Sequence, residues 1–141
     1  MSRRLLAAAL TTATAVTGVV VAAAPAEAAS CTSPRVIYHT LITDRGTTVG
    51  YVDLESSTAC HSVRAHVHSV YVSHPGDTHG VYGTIKRVGS STQHTCDAAD
   101  GSHDCTTAWL GDADPLRATA TGSIDMYPVN YDVASATTPA F

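Results

Sequence analysis

The chain predicts an all-β fold, a small disulfide-stapled β-sandwich or barrel of about six strands. Three observations carry that expectation. Residues 62–68 alternate, with Val63, Ala65 and Val67 on odd positions and Ser62, Arg64, His66 and His68 on even ones. A period of two belongs to a strand with one face in a core and the other in water. Turn residues punctuate the chain at short intervals, and beyond the amino terminus no stretch has helical periodicity. Four cysteines follow, which suits a small fold closed by covalent links.

Residues 1–28 read as a signal peptide. Arg3 and Arg4 give a positive start, residues 5–21 are apolar, and Ala26-Glu27-Ala28 is a small-residue cleavage site. The paired arginines suit a general secretory signal as well as a twin-arginine one. Cleavage after Ala28 leaves 113 of the 141 residues, read as a single β domain over 29–127 and a carboxy-terminal tail over 128–141. No later stretch is apolar enough to span a bilayer. Without Arg3, Arg4 and Glu27 the net charge moves from −4 to −5, and Lys86 is the one lysine. Nucleic acids and anionic membranes reward clustered positive charge, so neither is the expected partner. The expectation is a secreted monomer without a cofactor, facing an extracellular ligand or protein.

The cysteines read as two disulfides. A hairpin over residues 36–54 returns near its own origin and brings Cys60 to Cys31, while Cys96 and Cys105 flank a short polar loop. On the chain-entropy model the larger ring contributes roughly 3 to 4 kcal/mol and the smaller nearer ~3 kcal/mol. Zinc is the rival use of four cysteines, but the chain has no Cys-x-x-Cys pair.

In chain order, residues 35–43 are β-branched and aromatic and predict a strand. Asp44-Arg45-Gly46 turns it, residues 47–54 return, and 56–59 form a polar corner into the alternating strand. His74-Pro75-Gly76-Asp77 predicts a turn into a strand over 80–88. Pairing the two in a hairpin with Val67 opposite Ile85 and His68 opposite Thr84 separates polar from apolar faces and sets Lys86 opposite His66. Residues 90–104 read as loop, 105–110 as a strand whose Trp109 anchors the core, and 116–127 as a strand. That last strand has small residues, with Leu116, Ala118, Ala120, Ile124 and Met126 on one face. Its size pattern suits close crossing by another layer. The tail is read as an edge strand or as loose chain.

Residues 31–67 carry a cysteine, two strands joined by Asp44-Arg45-Gly46, then Ser57-Thr58-Ala59-Cys60 and Val63-Arg64-Ala65-His66-Val67. This pattern resembles a family of small secreted actinobacterial proteins of unknown function. It departs from that family in having Glu55-Ser56-Ser57 where an aromatic-rich step is usual, and in lacking a tryptophan just after the cysteine. The resemblance implies a secreted, β-rich, disulfide-stapled domain and no activity.

Candidate chemistry is sparse. His66 and His68 share a strand face and are the best metal pair among eight histidines. Against it, Arg64 shares that face, and the plain reading is a solvated surface. Asp97, Asp100 and Asp104 gather oxygen ligands in the Cys96–Cys105 loop, but their spacing is not that of an EF-hand. No Gly-x-Ser-x-Gly elbow is present and oxidised cysteines are not nucleophiles, so no catalytic residue is assigned. The expected function is a non-catalytic extracellular module that binds cell-wall or other extracellular ligands. Its candidate ligand face is Arg64, His66, His68, Lys86 and Arg87, a cationic patch on an acidic chain. The alternatives are a secreted protease inhibitor using residues 105–110 as a rigid loop, and a histidine-based metal binder.

Overall fold

A computed structural model describes residues 31–72, 78–98, 101–111, 117–127 and 132–141. The stretch read as a signal peptide, the residues 74–77 read as a turn, Asp100, Leu116 and residues 128–131 lie outside them. The described chain is all β, two sheets face to face with no closed barrel, so the sandwich is the form the fold takes.

The first sheet begins with the expected hairpin, β1 (Arg35–Asp44) and β2 (Thr47–Ser57). Its two-residue turn needs positive φ at both positions, and Arg45 and Gly46 adopt 47° and 84°. β3 (Ser62–Ser69) pairs antiparallel with β2, setting Val52 opposite Val67 and Leu54 opposite Ala65. Its other edge takes two short strands, β6 (Asp104–Thr106) and β7 (Leu110–Gly111). The second sheet runs β5-β4-β8-β9, with β4 (Thr78–Arg87), β5 (Gln93–Ala98), β8 (Ala118–Tyr127) and β9 (Asp132–Thr137).

Four expectations are corrected. β3 and β4 do not form a hairpin; they belong to different sheets, and Lys86 pairs with Gln93 and Thr119 rather than His66. Both edges of β3 are already occupied, so its apolar face meets β4 by stacking instead of hydrogen bonding. The stretch 90–104 contains β5, whose polar sequence hides its alternation because the ladder to β4 holds it in place. Residues 105–110 are not one strand. The ladder breaks at Thr107, where the Thr107 N–H donates to the Ala65 carbonyl and the Ala65 N–H donates to Thr107 Oγ1, both at 3.0 Å. Trp109 is only half-buried, packed over the Arg64 guanidinium rather than anchoring the core. The tail supplies β9, and Ala118 and Phe141 exchange backbone hydrogen bonds of 2.9 and 3.0 Å beyond it.

The core lies between the sheets. Ile42, Val52, Leu54 and Val67 meet Val81, Ile85, Ala120 and Ile124, all fully buried. The sheets cross closely at Gly83 and Gly122. A Cβ on Gly122 would lie 2.9 Å from Val52 Cβ and 3.0 Å from Ile42 Cδ1 and Val67 Cγ1. The small residues of β8 are therefore what a closely crossing layer requires. Disulfide Cys96–Cys105 joins β5 of one sheet to β6 of the other beside this crossing, and Cys31–Cys60 ties the chain before β1 to the β2–β3 corner.

Gly122→Ala is expected to destabilise the β domain by about 1–3 kcal/mol through overpacking. Gly111→Ala, at a position where an added Cβ meets nothing within 4 Å, should stay within about 0.5 kcal/mol. Chemical denaturation of the two variants tests the crossing; equal losses would contradict it.

Candidate functional site

The outward face of the five-stranded sheet holds the only extensive side-chain network among the described residues. Strand parity places it there. With Val52, Leu54, Ala65 and Val67 turned to the core, Tyr51, Asp53 and Glu55 of β2 and Arg64, His66 and His68 of β3 turn outward. The register sets Tyr51 beside His68, Asp53 beside His66 and Glu55 beside Arg64. β1 adds His39 opposite Asp53, and β6 adds Asp104 opposite His68.

Every carboxylate in this layer has a partner. The His39 Nδ1–H donates to Asp53 Oδ1 at 2.6 Å. The Arg64 Nε–H donates to Glu55 Oε2 at 2.6 Å, with the Trp109 ring centred 4.5 Å from the guanidinium carbon. His66 Nε2 and His68 Nδ1 both meet Asp104 Oδ1, at 3.0 and 2.8 Å, while His66 Nδ1 lies 3.7 Å from Glu55 Oε1. Asp53 and Glu55 are each only 7% exposed although they point away from the core, because these partners shield them. Tyr51 fills the gaps between rings, 4.7 Å from His39, 5.1 Å from His68 and edge-on to His66 at 6.5 Å.

Electrostatics follow from the contacts. Hydrogen bonds from His68 and then His66 hold the Asp104 carboxyl below its ordinary range. Burial first, then the charges of Asp53 and Asp104, push the Tyr51 phenol up, so it keeps its proton. On the other sheet, burial and the neighbouring Asp97 charge raise the Asp125 carboxyl.

Of the five residues predicted as a ligand face, Arg64, His66 and His68 stand together. Lys86 and Arg87 do not join them. They lie on β4 in the opposite sheet, where Lys86 is exposed and the Arg87 guanidinium donates to the Gly111 carbonyl. The predicted cationic patch is therefore corrected. With neutral imidazoles the face carries one guanidinium against the three carboxylates Asp53, Glu55 and Asp104.

Sequence reasoning missed His39, Tyr51, Asp53, Glu55 and the role of Trp109, and placed Asp104 with a polar loop instead of with His66 and His68. The odd-position run Tyr51, Asp53, Glu55 held a signal, since it repeats the alternation read in β3.

Asp97 lies on β5 and Asp104 on β6, in different sheets, so the oxygen-ligand reading of that loop, which a plain solvated turn already outweighed, gains no support. Among the described residues no three His, Cys, Asp or Glu side chains are placed to hold a metal ion. Residues 105–110 are strapped to β3 through β6, Thr107 and β7 and do not project as an inhibitory loop would.

Comparison of the chain with protein-family models, with curated proteins and with solved structures finds no match.

Asp104 gives a signed pH prediction. A carboxyl held low in the folded state contributes stability that is complete above its ordinary value, near pH 4, and is lost as pH falls through its folded value. Asp104→Asn should therefore melt below the wild type at about pH 6 and converge with it towards about pH 2. A gap independent of pH would contradict the assigned bonds.

Proposed function

We propose that this protein is a secreted, non-catalytic binding module that presents the outward face of its five-stranded sheet to an extracellular ligand such as a cell-wall polymer. The supporting observation is the burial of Asp53 and Glu55 on a face that has no core to bury them. Withdrawing two carboxylates from water costs several kcal/mol unless partners compensate. A strand face that merely meets solvent needs no such layer. Here the carboxylates instead fix the positions of His39, Arg64 and His66, and a pre-positioned polar surface loses little entropy on binding.

The non-catalytic reading rests on how the acids are engaged. Asp53 and Glu55 are each bonded to a base, and Asp104 is held ionised, the direction opposite to that of a general acid. Export rests on the amino-terminal pattern of Arg3, Arg4 and Ala26-Glu27-Ala28, and both disulfides suit an oxidising compartment. No described helix is long and apolar enough to cross a membrane.

Tagged mature protein incubated with the cell-wall fraction of the producing culture provides the test. Tyr51→Ser should remove most retention, roughly tenfold or more, whereas Lys86→Ala, on the other sheet, should leave it intact. Retention lost through Lys86→Ala and kept by Tyr51→Ser would overturn the assignment of the face, and a wild type that is not retained would overturn the ligand class.

A further inference from the structure

The bonds that fix the histidines also decide what they offer a ligand. An ionised carboxylate only accepts hydrogen bonds, so His39 and His68 must each carry their proton on Nδ1, towards Asp53 and Asp104. Each then holds a bare lone pair on Nε2. The side chains are 51% and 31% exposed, so these acceptors are open to solvent. Tyr51, on the strand between them, adds a hydroxyl oxygen. At neutral pH the row therefore accepts hydrogen bonds over a base of three carboxylates and one guanidinium, a local charge of −2.

A single metal ion is the wrong occupant. The Tyr51 ring stands between His39, tilted against it at 4.7 Å, and His68, stacked on it at 5.1 Å, and no third His, Cys, Asp or Glu among the described residues completes a metal set with them. A row of spaced acceptors above negative charge suits a row of N–H donors carrying positive charge.

We propose that the row His39–Tyr51–His68 binds the primary ammonium groups of a lysine-rich chain at neutral pH and releases them in mild acid. Release follows from imidazole chemistry. Histidine is the side chain that changes charge between about pH 5 and 8. Protonation turns each Nε2 from acceptor into donor, and protonating His39, His66 and His68 moves the local charge from −2 to +1. His66 favours the same outcome. Its Nε2–H donates to Asp104 at 3.0 Å, and a positive charge on the ring would also face the Glu55 carboxylate, 3.7 Å from Nδ1. The other ionisable groups facing these rings are Asp53, Glu55 and Tyr51 on β2, Arg64 on β3, Asp104 on β6 and His103 beside His68. Of these only His103 is a histidine, and a positive charge there would add to the same reversal. The proposal rests on the binding reading above and names its ligand class and its control.

The probe is a lysine pentapeptide, with its side-chain-acetylated form as the uncharged control. It is titrated into the isotopically labelled mature protein at about pH 7.5 and about pH 5.5, on either side of the ordinary histidine range. Amide shifts should map to His39, Tyr51 and His68, affinity should fall roughly tenfold or more at the lower pH, and the acetylated peptide should not bind. His39→Gln with His68→Gln keeps polar side chains but removes two of the three protonations, and should shrink the pH dependence severalfold; His94→Gln, on the other sheet, should leave it unchanged. Shifts confined to other surfaces, equal binding at both pH values, equal binding of the acetylated peptide, or no binding would each overturn the ammonium assignment. If the Tyr51→Ser variant still loses cell-wall retention, the face keeps its role and only the ligand class fails.

Discussion

The register between β2 and β3 is the constraint on which both halves of the molecule depend. Val52 opposite Val67 and Leu54 opposite Ala65 build the floor of the core; Tyr51 opposite His68, Asp53 opposite His66 and Glu55 opposite Arg64 build the outward layer. The same ladder bonds fix both. A one-residue slip would carry Asp53 and Glu55 into the sandwich and expel Val52 and Leu54. Burying two carboxylates against Ile124 and Ile85 costs far more than the ladder could return, so the core selects the register and the register assembles the face.

The second sheet closes this arrangement from behind. Gly83 and Gly122 let the backbones approach until Val52 and Val67 touch β8, and Cys96–Cys105 secures the side where β5 meets β6. Tightness there has a consequence on the opposite surface. β6 carries Cys105 inward and Asp104 outward, so the disulfide that joins the sheets also holds the carboxylate that His66 and His68 share. Covalent closure and the candidate site meet in one three-residue strand.

Much of this was legible in the sequence. Alternation in β3 identified Arg64, His66 and His68 as one face, and hairpin geometry identified Cys31 with Cys60. What failed was the partner of β3. The chain runs from β3 into β4, but proximity in sequence does not say whether two strands pair edge to edge or stack face to face, and both arrangements sort polar from apolar residues. The error moved Lys86 and Arg87 onto a face they do not share and hid Asp53 and Glu55 from it. β5 was obscured for a related reason. Gln93, His94 and Thr95 are exposed, so little burial marks them, and the strand is held by its ladder to β4. Trp109 followed a composition rule that a cationic neighbour overrode: its ring covers Arg64, combining apolar burial with attraction to the guanidinium.

The central claim is that pairing of β2 with β3 creates a mutually bonded polar layer rather than a set of independent surface side chains. A double-mutant cycle on Glu55→Gln and Arg64→Gln, read as unfolding free energies of the β domain, measures that directly. The 2.6 Å contact beneath Trp109 predicts a coupling of about 1–3 kcal/mol. Additivity within about 0.5 kcal/mol would mean that the two side chains act separately, and would contradict the account.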